Sequence, residues 1–268
     1  LQYYAEVRVA GENYVILPTV ASLPSDRGLT QYLSNSYILP MGVKVEKSLT
    51  HISGFPSTKV NITVKAVNEG RLPIYQIILQ AGSDPFLTRV EGNTSSTAKA
   101  LTRGERLEFT YLAKLITPGW YEVSKAPLTF TFSGSPQTTY SPQPLLEIYE
   151  PVKAELSINP TRPIEGEAFD LRLNISNPSK VSVNDIKVKI TLLKNLQILE
   201  AWSSGNLSFL TIGELKANES KTFVAKVKAP SGMDLTIDTP NVTFTYGGEN
   251  LQGESKPLTV QVLSLIHI

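Results

Sequence analysis

The chain has 268 residues, of which 41% are apolar and 18% charged, with a formal net charge of +1. That balance supports a packed core and excludes a disordered chain, a nucleic-acid binder driven by basic excess and a polybasic membrane-surface segment. Cysteine is absent, which removes disulfides, thiolate catalysis and Cys-ligated metal together. No apolar run approaches the roughly 20 residues that a membrane helix needs.

The chain opens on "EVRVAGEN", a short alternating run that ends in a turn. Residues 1–20 read as the terminal hairpin of a truncated preceding unit, with "AGEN" as its turn. Residues 21–42, "ASLPSDRGLTQYLSNSYILPMG", read as a linker: either a flexible spacer or one with an extra strand at "QYLSNSYIL".

From residue 43 onward the chain repeats itself. "VKVEKSL" returns as "VKAELSI", an offset of 152 − 43 = 109, and Asn68 returns as Asn177 with the same offset. "ERLEFTYLAKL" returns as "ESKTFVAKVKA", and "LTFTFSG" as "VTFTYGG", both at offset 114. The drift places a small insertion in the second unit, near residues 202–206. The runs alternate with period two: Val60, Ile62, Val64 and Ala66 against Asn61, Thr63 and Lys65, then Phe169, Leu171, Leu173 and Ile175 against Asp170, Arg172 and Asn174. Side chains of a strand point to opposite faces in turn, so each run has one dry and one wet face. No stretch carries a helical apolar period. The predicted class is all-β: tandem immunoglobulin-like β-sandwiches of about seven strands each, over residues 43–150 and 151–262. Between the last strand of one and the first of the next stand only Glu150 and Pro151. Proline fixes its own φ and restricts its predecessor, so a stiff joint is expected. The closing "LSLIHI", residues 263–268, breaks the pattern of the strand before it. It resembles a translated sequencing-library adaptor, and is expected to be a non-native tail.

The strand-ending runs "STKVNITVKAVNEGRLPIYQIILQ" and "GEAFDLRLNISNPSKVSVNDIKVKITL" carry a family resemblance. Both resemble CARDB-type cell-adhesion-related repeats and archaeal surface-layer repeats, in which a strand ends in Asn-x-Gly. In the second run Ser179 stands where that glycine would be. The resemblance implies a tandem-sandwich protein outside the cytoplasm, often anchored at the cell surface, whose partners are neighbouring copies, other surface proteins or glycans. A weaker resemblance, through "TPGWYEVSKAPLTFTFSG", is to the lumenal domain of the translocon-associated beta subunit; the tandem copies count against it.

Chemistry is thin. His51 and His267 are the only histidines, and a triad or His-rich metal site would rest wholly on His51, which reads as a solvated loop residue. No phosphate-binding, nucleophile-elbow or zinc-protease motif occurs. Glu165 and Glu167, with Glu150 near the joint, are weak candidates for a hard-cation site, without the spacing of a calcium loop. Trp120 and Trp202 are candidates for stacking on sugar rings; Tyr121, after a Gly corner, reads as a tyrosine-corner residue. Sequons occur at Asn61, Asn93, Asn174, Asn206, Asn218 and Asn241, making these glycosylation candidates. No cofactor, nucleic acid or membrane contact is expected. The leading expectation is a non-catalytic structural or adhesive surface protein acting as a stiff spacer or lattice element. The alternatives are a carbohydrate-binding module of a secreted enzyme and a strand-donating filament subunit.

Overall fold

The computed structural model describes residues 42–191, 196–202, 207–228 and 235–263, and, before residue 42, the backbone of four short strands. These are β1 (Tyr14–Ile16), β2 (Val20–Ser25), β3 (Gly28–Leu33) and β4 (Tyr37–Leu39). β2 pairs with β3 and β1 with β4. The stretch expected as a linker therefore carries strands, and the described part of the expected first hairpin pairs forward with β4. Residues 1–13 and 17–19 of that hairpin lie outside the described residues.

The rest is all strand; among the described residues there is no helix. The first repeat holds β5 (Val43–Leu49), β6 (Ser53–Gly54), β7 (Lys59–Asn68), β8 (Ile74–Gln80), β9 (Leu87–Gly92), β10 (Ser95–Leu101), β11 (Arg106–Leu115), β12 (Gly119–Glu122), β13 (Pro127–Phe132), β14 (Ser135–Tyr140) and β15 (Leu145–Ile148). The second holds β16 (Lys153–Asn159), β17 (Ala168–Ser176), β18 (Val183–Lys189), β19 (Gln197–Glu200), β20 (Phe209–Leu215), β21 (Ser220–Lys228), β22 (Leu235–Ile237), β23 (Asn241–Tyr246), β24 (Glu249–Gln252), β25 (Glu254–Ser255) and β26 (Leu258–Val260). Two of these, β6 and β25, are two-residue pieces that carry too little alternation to be read from sequence.

Strand order is the same in both halves. The first has sheets β10-β8-β13-β14 and β5-β7-β11-β9; the second has β20-β18-β23-β24 and β16-β17-β21-β19, with β25 added beside β16. Both are immunoglobulin-like sandwiches. Finer details recur too. Gln76 (φ 51°) and Asp185 (φ 49°) take the left-handed region at a bulge in the equivalent strands β8 and β18. The hairpins β13–β14 and β23–β24 turn on Ser133-Gly134 and Gly247-Gly248, all four with positive φ. Two successive left-handed residues match the twist of the flanking strands, which is why "TFSG" and "TYGG" mark the same turn in the two repeats.

The buried asparagine of each repeat explains another recurrence. Asn68 donates from Nδ2 to the carbonyls of Leu72 and Leu101, both at 2.9 Å, and its Oδ1 accepts from Gly70 N at 3.0 Å. Asn177 donates to Val181 (2.7 Å), Leu215 (3.2 Å) and Lys216 (3.0 Å), and its Oδ1 accepts from Ser179 N at 3.1 Å. One side-chain amide thus satisfies the backbone where a strand leaves the sheet, and a buried amide is tolerable only when so paired. The Ser179 hydroxyl adds a bond to Asn177 Oδ1 at 2.7 Å in the second copy.

The chain packs as two compact units. In the first, the dry faces of β7, β8 and β13 contribute fully buried Val60, Ile62, Val64, Ile74, Leu79 and Leu128. In the second, Leu171, Leu173, Ile175, Val183, Ile186, Val188 and Val242 do the same. At roughly 25 cal/mol per Å² of apolar surface, these faces supply the main driving force. The sequence boundary at Glu150 and Pro151 is not the packing boundary. Ser53–Thr58, Lys114–Trp120 and the end of β15 belong to the second unit. The reason is Phe55, which is 0% exposed and sits in the second core. Its ring meets Tyr149 at 5.3 Å, Phe244 at 5.0 Å and Tyr246 at 5.0 Å, each edge to face. β6 holds it there: Ile148 of β15 pairs in parallel with Gly54, and Tyr149 N donates to Gly54 O at 2.7 Å. The second half has its own parallel bridge, between Ile164 and Leu263. Leu263, the first residue of the expected non-native tail, is therefore paired; residues 264–268 lie outside the described residues.

Candidate functional site

The exposed aromatic site is built at the start of β12. Pro118 and Gly119 end the preceding strand's run and present Trp120, which is 68% exposed. Across from it the Asn177–Ser179 turn delivers Lys180. The Lys180 ammonium lies 4.7 Å from the Trp120 ring centre and 5.7 Å from that of Tyr149. It also pairs with the Glu147 carboxylate at 2.5 Å. The hydrogen bond to Glu147 holds the Lys180 amine above its ordinary pKa, so the group stays cationic. Cation, carboxylate and two rings surround an open cleft of about 300 Å³, lined by Pro118, Trp120, Glu147, Tyr149, Glu150 and Lys180. Chemically, a lysine already satisfies the aromatic-acid box, while much of the Trp120 ring remains open to a flat apolar ligand face.

Trp202 does not form a second platform. It is half-buried, packs against the second core, and its indole nitrogen is buried and unpaired among the described residues. The two tryptophans are thus split between a surface and a packing role. Tyr121 stacks on Phe86, with ring centres 4.1 Å apart and planes at 16°. His51 is exposed between β5 and β6.

The acidic candidates do not assemble. Glu150 pairs with Lys153 at 2.5 Å, and among the described residues no three acidic or histidine side chains converge. Glu150, Glu165 and Glu167 therefore form no oxygen cage, the first being neutralised by its lysine. Of the sequons, Asn61, Asn93, Asn218 and Asn241 are exposed and Asn174 is half-buried. Asn174 Oδ1 accepts from Thr222 at 3.2 Å, and Asn241 Oδ1 from Gln252 at 3.0 Å. Asn218 has a structural reason to be there: its φ of 57° fills the turn position that Gly104 (φ 80°) fills in the first repeat. Asn206 lies outside the described residues.

Sequence reasoning missed a buried polar cluster in the first unit. Lys47 Nζ donates to Ala81 O (2.8 Å), Ser124 O (2.9 Å) and Ser124 Oγ (3.2 Å), and lies 3.3 Å from Asp84 Oδ2. Asp84 Oδ1 accepts from Ser124 N at 2.7 Å. Burial lowers the Lys47 pKa, with Asp84 opposing it, and burial pushes Tyr111 up to about 12, the charge of Asp84 adding to the rise. The signal was available: Lys47 falls in register with Val45, on the dry side of β5.

What the fold defines is a class: two immunoglobulin-like β-sandwiches in tandem. No protein-family model matches the chain, and no curated protein does. Solved structures that align with the chain include Salmonella alpha-2-macroglobulin reacted with methylamine, at 15% identity and TM-score 0.35 over 91% of this chain and 18% of that one. Native Escherichia coli alpha-2-macroglobulin aligns at 13% identity and TM-score 0.36, covering 96% and 23%. Red sea bream transglutaminase aligns at 12% identity and TM-score 0.30, covering 82% and 31%. The chain spans less than a third of the length of each.

Proposed function

We propose that this chain is a non-catalytic structural or adhesive segment of a cell-surface protein, working outside the cytoplasm as a stiff spacer or lattice element. The observation that carries the reading is one sandwich built twice with the same strand order, bulge, turn and asparagine clasp. A repeated scaffold conserves geometry, and geometry is what a spacer supplies. The short Glu150-Pro151 connection between the two repeats supports stiffness, because proline fixes its own φ and restricts its predecessor. The CARDB-like and surface-layer-like cadence of both repeats agrees with it, and its partners would be neighbouring copies, other surface proteins or glycans. The chain has no cysteine, so Glu108→Cys and Lys226→Cys introduce one unambiguous spin-label pair on exposed strand positions. A single narrow distance distribution is expected in solution. A broad distribution would sink the spacer.

A second reading is a carbohydrate-binding module, favoured by the 68% exposure of Trp120 beside its cleft. Cello-, chito- and manno-oligosaccharides titrated against tryptophan fluorescence test it. Saturable quenching that Trp120→Ala removes and Trp202→Phe retains is the expected result; no quenching by any of the three leaves the spacer alone.

A further inference from the structure

The buried lysine of the first sandwich is not repeated in the second. Lys47 of β5 falls on Leu156 of β16, at the repeat offset of 156 − 47 = 109. Register agrees: Lys47 pairs with Val64 on β7, and Leu156 with Leu173 on β17. Leu156 belongs to the second core, so the same fold accepts an apolar residue at this position. Exchanging a buried ion pair for apolar side chains is commonly neutral or stabilising. Packing therefore gives no reason for the first sandwich to bury Lys47 and Asp84, whose side chains are 0% and 5% exposed. Chemistry between the two groups does.

We infer that Lys47 Nζ and Asp84 Cγ condense to an amide, an internal cross-link in a chain without cysteine. The contacts are arranged for it. The carbonyls of Ala81 (2.8 Å) and Ser124 (2.9 Å) each accept from Nζ. They hold two of its three donor positions and turn the third toward the Asp84 carboxyl, whose Oδ2 lies 3.3 Å away. In this dry site the ammonium passes a proton to Oδ2, because two neutral groups are easier to bury than two ions. Burial lowers the Lys47 pKa, which favours the free amine that can attack. The Nζ lone pair then forms a bond to Cγ. Negative charge collects on Oδ1, which already accepts from Ser124 N at 2.7 Å. A second proton leaves the nitrogen through the Ser124 hydroxyl, 3.2 Å from Nζ and 3.1 Å from Oδ2. It reaches Oδ2 as the Cγ–Oδ2 bond breaks, and that oxygen departs as water. One N–H remains on the new amide. Nothing is oxidised or reduced, and no co-reactant is needed. The bond ties β5, at the edge of the sheet β5-β7-β11-β9, to the loop that follows β8 in the sheet β10-β8-β13-β14. Such a tie restricts the unfolded chain as a disulfide does.

The cross-link goes beyond the spacer reading and does not depend on it. Intact-mass measurement of the whole purified chain, denatured after folding, is the experiment. Wild type should weigh one water less than its sequence, while Lys47→Met and Asp84→Ala keep their full mass. Trypsin should fail to cut after Lys47, and tandem mass spectrometry should find the Lys47 and Asp84 peptides joined. Ser124→Ala should slow the loss of water in freshly purified protein by about a hundredfold, the scale of one positioned proton relay. A wild type that keeps its full mass after prolonged incubation overturns the inference, and so does a loss of water that leaves Lys47 open to trypsin. Equal rates in wild type and Ser124→Ala overturn the relay.

Discussion

Phe55→Ala should remove about 3–5 kcal/mol from the stability of the second unit, the range for truncating a large buried aromatic. Phe55 is 0% exposed, and its ring stands edge-on to Tyr149, Phe244 and Tyr246 at 5.0–5.3 Å. Each such pair contributes about 0.5–1.5 kcal/mol beyond burial. The partners come from the joint and from β23, so the site has no single flexible segment that could collapse into the void. The readout is specific: Trp202 packs against this core, so in a Trp120→Phe background its fluorescence follows the second unit. A single sandwich holds about 5–15 kcal/mol in total, so the variant should sit near the edge of unfolding in mild urea. Phe55→Leu should recover part of the loss by refilling the space. A change below about 1 kcal/mol in Phe55→Ala would mean that the ring is not part of the second core.

That residue shows where sequence reading stops. Period-two alternation made the long strands legible, because β7, β8, β17 and β18 each have one buried and one wet face. The repeat offset then made the shared topology legible. Asn68 and Asn177 were visible as aligned positions, though not as clasps, because the carbonyls that they bind come from Leu101 and Leu215, far along the chain. Phe55 lies in "HISGF", where no alternation exists, and its partners belong to the joint and the other repeat. Nothing local says which core it will enter. The strand β2 and the start of β3 were hidden for a related reason: "ASLPS" and "GLT" contain proline, glycine and serine, the residues that normally mark loops, whereas the end of β3 and β4 fall in "QYLSNSYIL", where an extra strand was one of the two readings. Trp120 and Trp202 look alike as letters; only packing separates the exposed ring from the half-buried one.

Asp84→Ala should be as costly as Phe55→Ala, for an electrostatic reason. The Lys47 and Asp84 side chains are 0% and 5% exposed, so removing the carboxylate strands an ammonium in a dry site. The carbonyls of Ala81 and Ser124 remain, but dipoles do not neutralise a full charge. Breaking one side of a buried pair costs about 3–5 kcal/mol. Ser124 also loses its acceptor, since both its backbone N and its hydroxyl bond to Asp84. The pH dependence identifies the cause. Burial already lowers the Lys47 pKa from its ordinary value of 10.5, and Asp84 is what opposes the fall. Without Asp84 the folded pKa drops further, so between that value and 10.5 the unfolded chain binds more protons than the folded one. Stability of the variant should therefore rise with pH across that window, since the slope follows the protons bound in excess by the unfolded state. Tyr111, pushed up to about 12 in the parent, acts in the opposite sense only above its unfolded pKa of about 10. Urea unfolding of Asp84→Ala at about pH 7 and about pH 9.5 should show the gain, and Lys47→Met combined with Asp84→Ala should abolish it. Equal loss at both pH values would assign the cost to the Ser124 hydrogen bonds instead of to the stranded charge.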